Sequence, residues 1–300
     1  MEKKMKRPCI LFAGLSGESV FLRIPRFARP GETMAAESLS REPGGKAYNQ
    51  AVAAARLGAE SRLITAIGRD ASGESCLARL RQEQVNALPF YKDQPTAFAT
   101  IHTAADGENK VTVYRGAFSL LSASDIHSAA DFLDGADMLV LTCEVPEEAF
   151  LAAFDMAEKH HVPVLLNPAP YHPMAHQVLS RACLITPNEG EAAALLDLSP
   201  DASVEQLAKA ASASGLPLCI TLGAKGALLG IDGDCQLLPA PKVQAVDTTG
   251  AGDAFSAALA VRLSMGDLPA DAAAYAVRYA SQSTLRPCVL DSYPFASEMA

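Results

Sequence analysis

The stretch Val246-Asp247-Thr248-Thr249-Gly250-Ala251-Gly252-Asp253-Ala254-Phe255 brings together the parts that phosphate chemistry requires. Gly250, Ala251 and Gly252 are small, so their backbone N–H groups stay accessible. An apolar helix is predicted over 254–265, and the unpaired N–H groups and dipole at a helix start attract anions. Asp253 then sets a carboxylate at the edge of an anion site, where it is out of place unless it has a task. Taking the proton of a hydroxyl beside a phosphoryl group is such a task. A bare GxGD reads equally well as a turn with an N-cap Asp; the full string before a long apolar helix favours the chemistry.

Other residues fit around it. Asn188-x-x-Glu191 sets a carboxylate in the first turn of a predicted helix, 188–196. The helix dipole favours it there, and local sequence alone reads it as an exposed first-turn carboxylate. Thr221-Leu222-Gly223-Ala224-Lys225-Gly226 is a turn whose glycines allow close approach of a ligand. Glu144 lies two residues past the apolar run Met138–Thr142, where open α/β sheets place ligands. Rival nucleotide signatures fail: Gly44-Gly45-Lys46 runs into Ala47, which breaks the P-loop pattern, and Phe255 stands where a dinucleotide fingerprint needs its third glycine. His172 and His176 are four apart, but Pro173 lies between them and no carboxylate is near, so a surface loop is the reading.

The elements that must carry these groups alternate. Strands are predicted at 10–13, 62–67, Met138–Thr142, 162–166, 182–186 and 218–222. Helices are predicted at 49–57, 72–85, 147–160, 188–196 and Val204–Ser214. This rhythm implies an α/β fold, a mostly parallel sheet with helices on both faces. Two excursions, 20–41 and 97–118, alternate polar and apolar residues and predict a small β-sheet lid on a single domain. Residues 227–231 and 235–238 form a hairpin around Asp232-Gly233-Asp234.

Composition narrows the setting. A net charge of −9 and the absence of Trp argue against nucleic acid as the partner. Seven scattered cysteines without a CxxC suit free thiols in a reducing cytoplasm. The apolar run after the basic Lys3, Lys4, Lys6 and Arg7 is too short for a signal peptide and reads as a first strand. No stretch reaches membrane-spanning length.

In order and spacing these motifs resemble the ribokinase-like (PfkB-type) carbohydrate kinases, and within that family the ribokinases most. The matching segments also include Pro30-Gly31-Glu32-Thr33, Gly44-Gly45-Lys46-x-x-Asn49-Gln50-Ala51, Gly107-Glu108-Asn109 and Asn167-Pro168-Ala169-Pro170. The resemblance implies an ATP-dependent kinase acting on a small sugar. Asp253 would be the base, with the amides of Gly250, Ala251 and Gly252 as the anion hole. Gly17, Ser19, Gly45, Lys46, Asn49, Glu144 and Asp253 would meet the sugar. Asn188, the residues from Thr221 through Leu222, Gly223, Ala224 and Lys225 to Gly226, Gly252, Asp253 and Val277 would meet ATP. Glu191 would act on Mg²⁺ through water. A K⁺-like ion would sit among Asp247, Thr249 and carbonyls of Ser283, Arg286, Cys288 and Ser292. The family's lids often pair two subunits, which implies a homodimer.

The chain departs from the pattern where the sugar binds. The family places an Asn and then an Asp on the first strand-loop; here those positions are Gly17 and Ser19. Cys288 stands where Gly is usual, and Tyr48 and Phe118 replace smaller residues. An altered acceptor pocket is expected. A nucleoside kinase, with Tyr48 or Phe118 stacked on the base, is the alternative. A non-catalytic sugar or nucleotide sensor is a third reading, disfavoured because a sensor needs no base at an anion hole.

Overall fold

The computed structural model describes residues 7–299; the basic residues Lys3, Lys4 and Lys6 lie outside them. In chain order the elements are strands β1 (Cys9–Ala13), β2 (Gly17–Ile24) and β3 (Ser38–Gly44), helix α1 (Lys46–Arg56), β4 (Glu60–Ile67), α2 (Ala71–Gln82), β5 (Asn86–Tyr91), β6 (Ala97–Ala104) and β7 (Asn109–Tyr114). They continue with α3 (Ala123–Ser128), β8 (Met138–Thr142), α4 (Glu147–Lys159), β9 (Val164–Asn167), β10 (Leu184–Ile185), α5 (Glu189–Leu195), α6 (Val204–Ser214) and β11 (Leu218–Thr221). The chain closes with β12 (Ala227–Ile231), β13 (Asp234–Leu238), α7 (Ala251–Ser264) and α8 (Pro269–Ser283).

The main sheet has nine strands in the order β13-β12-β11-β10-β9-β8-β1-β4-β5, parallel from β11 to β5, with the β12–β13 hairpin antiparallel at one edge. Its strands are short apolar runs because both faces are covered. Along β1 the side chains alternate between two cores: Leu11 and Ala13 pack with α4, Ile10 and Phe12 with α1, α7 and α8. Helix starts are chemically marked. Asp70 accepts the N–H of Gly73 at 2.8 Å, and Ser203 with Gln206 forms a capping box on α6. Gly215, in the left-handed conformation, ends α6.

A second sheet, in the order β3-β2-β6-β7, stands apart, with β2 and β6 parallel and the outer pairs antiparallel. β6 and β7 fall within the expected segment 97–118, whereas β2 and β3 overrun 20–41 by three residues at each end, so that Gly17 and Ser19 lie in a strand. Three elements escaped the sequence reading. Strand β5 is only half-buried, α3 is a single capped turn, and α8 has too many alanines for its apolar face to stand out. Helix α1 begins at Lys46 rather than at Asn49, and α7 begins at Ala251 rather than at Ala254. Both shifts put predicted loop residues into first helical turns.

Candidate active site

The start of α7 is built around Gly250, whose φ of +78° suits glycine. A Cβ there would lie 2.5 Å from Val289 Cγ1 and 2.6 Å from the Tyr293 hydroxyl, so larger residues are excluded on contact as well. Tyr293 donates its hydroxyl to the Gly250 carbonyl at 3.1 Å. At Gly252 a Cβ would meet nothing within 4 Å, and the residue is exposed on the lining of the neighbouring cavity. The N–H groups of Gly250 and Gly252 have no partner among the described residues, whereas that of Ala251 turns back to Thr248 O at 3.2 Å. The sequence expectation of three free amides is therefore corrected to two. Asp253 lies inside the first turn of α7 and is only 7% exposed.

Its carboxylate is held from α1. Asn49 Nδ2 donates to one oxygen at 2.9 Å and Gln50 Nε2 to the other at 3.1 Å. Burial pushes the Asp253 carboxyl up, against the opposing pull of Lys46 and the two amides. Lys46, first residue of α1, donates its backbone N–H to Glu144 Oε2 at 3.1 Å. Burial works against its ammonium, but the carboxylates of Asp253, Glu144 and Glu191 outweigh it and hold the group above its ordinary value. Glu144, at the carboxyl end of β8, is pushed up to about 7, chiefly by burial, with Lys46 opposing.

Ser19 Oγ and Asn49 Oδ1 flank Gly44, at 3.1 and 3.6 Å from where its Cβ would be. Ser19, Lys46, Asn49, Glu144 and Asp253 thus form one group, and Gly45, with φ +124°, turns the chain into α1 between them. At Gly17 a Cβ would sit 2.5 Å from Ala97 O, so this position offers backbone only. Glu18 faces the other side of β2, toward Ser72 and Arg41, as strand alternation requires. Two neighbours escaped the sequence reading. Arg115 donates to the backbone oxygen of Glu144. Glu42 is the cross-strand partner of Ser19, but its carboxylate turns to the N–H groups of Val289 and Leu290 at 3.1 and 3.4 Å. Tyr48 and Phe118 are fully buried. Tyr48 donates to Cys76 O at 3.0 Å, so the expectation that either stacks on a nucleobase is corrected.

Across α7 from this group lies a cavity of about 430 Å³ lined by Thr221, Gly223, Ala224, Gly226, Gly252 and Val277. Its other wall, Ala240, Pro241, Lys242, Val243, Phe255 and Thr284, had no signal beyond a Pro-rich apolar loop. Of the residues expected to meet ATP, Asn188 and Asp253 line an adjoining cleft instead, and Leu222 and Lys225 line neither. Leu222 packs into the core, and Lys225 reaches out to Glu189 at 3.2 Å. Through Thr221 and Gly252 the cavity meets a cleft of about 120 Å³ that contains Lys46, Asn188, Glu191 and Asp253. Asn188 and Glu191 form a reciprocal capping box, at 2.8 and 2.9 Å. That bond uses one oxygen of Glu191 and leaves Oε1 for a metal-bound water.

The proposed monovalent-cation loop is compact. Asp247 Oδ1 accepts the Thr249 N–H at 2.9 Å, and the side chains of Ser283 and Ser292 are tied to Ala280 O and Val289 O. Arg286 pairs with Glu298 at 2.5 Å. Cys288 has φ +71°, so it adopts the conformation that a glycine would supply, at some strain.

The pfkB family carbohydrate kinase model matches residues 19–295. The chain is 33% identical over 297 residues to the ribokinase of Staphylococcus aureus (strain COL), covering 97% of this chain and 98% of that one. It is 34% identical over 275 residues to the deoxyribokinase of Salmonella typhi, covering 89% of each. The ribokinase of Arabidopsis thaliana, solved with ribose and ATP, superposes with a TM-score of 0.85 at 26% identity, covering 98% of both chains. With the family model matching residues 19–295 and relatives of about a third identity along almost the whole chain, this chain belongs to the pfkB family of carbohydrate kinases.

Proposed function

We propose that this ATP-dependent carbohydrate kinase uses Asp253 to take the proton of a sugar hydroxyl as that oxygen attacks the γ-phosphorus of ATP, the bond to the β,γ-bridging oxygen breaks and ADP leaves. The observation that carries the reading is the placement of Asp253. It is buried in the first turn of α7, next to the exposed Gly252 and at the junction of the two cavities. The raised carboxyl is a better proton acceptor than an exposed one. The free amides of Gly250 and Gly252 would meet the charge that develops on the transferring group. Mg²⁺ would neutralise the phosphates when bound. Glu191 would orient one of its waters, since the residues around it are too few for an all-protein cage. Asp247, Thr249 and the carbonyls of the 283–292 loop are the groups that would hold K⁺.

The acceptor end supports a pocket that differs from one built for ribose. No carboxylate faces the acceptor from β2. Ser19 is short, Gly17 is blocked by Ala97, and Glu42 is engaged by the 289–290 amides. Arg115 adds a cation beside Glu144. An acceptor with fewer hydroxyls than ribose, such as 2-deoxyribose, fits this set, and the buried Tyr48 and Phe118 leave a nucleobase without a stacking partner.

In Asp253→Asn, kcat should fall at least roughly 10²-fold with little change in the KM for ATP. Turnover near that of the native enzyme would remove Asp253 from its role. In the native enzyme kcat/KM for 2-deoxyribose should equal or exceed that for ribose. A clear preference for ribose would refute the acceptor assignment alone.

A further inference from the structure

We propose that Gln50 is a positioning residue for Asp253: it fixes the plane of the base's carboxylate while its neighbour Asn49 exchanges its bond for the acceptor. The inference rests on Asp253 being the base. Asn49 and Gln50 are consecutive on α1, yet their amides reach opposite oxygens of the same carboxylate, at 2.9 and 3.1 Å. Their access differs. Asn49 is 9% exposed and borders Gly44 and Ser19, whereas Gln50 is 0% exposed. An acceptor can therefore take over the bond of Asn49 but cannot reach Gln50.

The surroundings argue against a merely structural amide. Where α1 crosses α7 the buried residues are small, Ala51, Ala54, Ala254, Ala257 and Ala258 among them. Gln50 is the long polar exception, and its Oε1 is buried without a partner. An amide that leaves its carbonyl unpaired is a poor packing choice, because a buried unsatisfied oxygen is unfavourable. What the side chain does satisfy is one oxygen of Asp253. The Asp side-chain torsion is broad and roughly two-fold, so a single bond leaves the carboxylate free to rotate. Donors on both oxygens stop that rotation, and once Asn49 turns to the acceptor Gln50 is the remaining neutral donor. The other groups facing Asp253 are Lys46 from α1, Glu144 after β8, Glu191 on α5 and Tyr293 from the C-terminal segment. Lys46 alone among them favours the ionised base, so the second donor matters.

The test uses Gln50→Met, which keeps the volume and removes the donor, and Gln50→Glu, which keeps the shape. Each is assayed with ribose or 2-deoxyribose, whichever is turned over. For Gln50→Met we expect kcat lower by about tenfold, the KM for ATP within about twofold, and the acid limb of kcat/KM moved up by about one pH unit, as loss of a donor to the ionised form requires. Gln50→Glu should behave in the opposite sense. The new carboxyl shares a proton with Asp253 and still donates at low pH, so activity should decline as pH rises and the pair loses that proton. A structural role would lower thermal stability in both and leave both limbs in place.

Native kcat and an unmoved acid limb in folded Gln50→Met would overturn the proposal. If that variant does not fold, a missing alkaline decline in Gln50→Glu does the same. Asp253→Asn, run alongside, separates the two readings. Full turnover there removes the base, whereas loss there with an unaffected Gln50→Met removes only the role of Gln50.

Discussion

Glu144 sits half-buried at the carboxyl end of β8 with its carboxyl pushed up to about 7 by burial. Its folded value lies above the unfolded one, so its contribution to stability is fully present below about 4.5 and is lost as pH rises through about 7. Glu144→Gln keeps an acceptor for the Lys46 N–H and removes the titration. The variant should therefore gain on the native protein between pH 5 and pH 8, by at most about 3 kcal/mol. Melting curves at the two pH values decide it; an equal difference at both would show that Glu144 does not titrate in this window. At this scale the sequence marked Gly250, Gly252 and Asp253 as one cluster at a helix start, and the structure places them there. It missed Gln50, Glu42 and Arg115, because their partners are 203, 247 and 29 residues away.

Strand β3 is tied to the C-terminal segment by Glu42, whose carboxylate accepts two backbone N–H groups. The segment it holds carries Val289 and Tyr293, the two residues packed against Gly250. The small sheet and the start of α7 are thus linked through one side chain. Glu42→Ala should lower stability by about 1–3 kcal/mol, the range for bonds to a charged group offset by burial. It should also lower kcat more than it raises the KM for ATP, since neither Glu42 nor Val289, Leu290 and Tyr293 line the cavity proposed for the nucleotide. An unchanged urea midpoint would show that the tie carries no load. Helix starts belong to the same scale. Small residues and caps announced α5 in the sequence to within one residue, but α1 and α7 three residues late, because the first turn of a helix is set by what it packs on as much as by its cap.

The small sheet leaves Leu39, Phe98, Val111, Val113 and Tyr114 between 37% and 59% exposed, and its outer strands β3 and β7 have open edges. Apolar side chains on an unpaired sheet call for a cover. We infer a homodimer in which two such sheets meet, and expect Val111→Lys with Val113→Lys to yield a monomer. Light scattering checks both statements: a native protein of about 31.5 kDa in solution would refute the dimer. Among the described residues no helix is long and apolar enough to cross a membrane.

The sequence by itself determined what depends on local chemistry: the alternation of strands and helices, the small sheet, the glycine-rich helix start and the acid after it. These follow from side-chain periodicity and backbone freedom, which act over a few residues. Only the tertiary structure decided which groups converge. The parallel sheet places the ends of β8, β9, β10 and β11 side by side, and the crossing of α1 on α7 brings Asn49 and Gln50 onto Asp253. It also placed Tyr48 and Phe118 in the core, blocked Gly17 with Ala97 and turned Glu42 away from Ser19. Burial and direction belong to the packed assembly: a side chain's type states what it can bind, and only the neighbours supplied by distant strands state what it does bind.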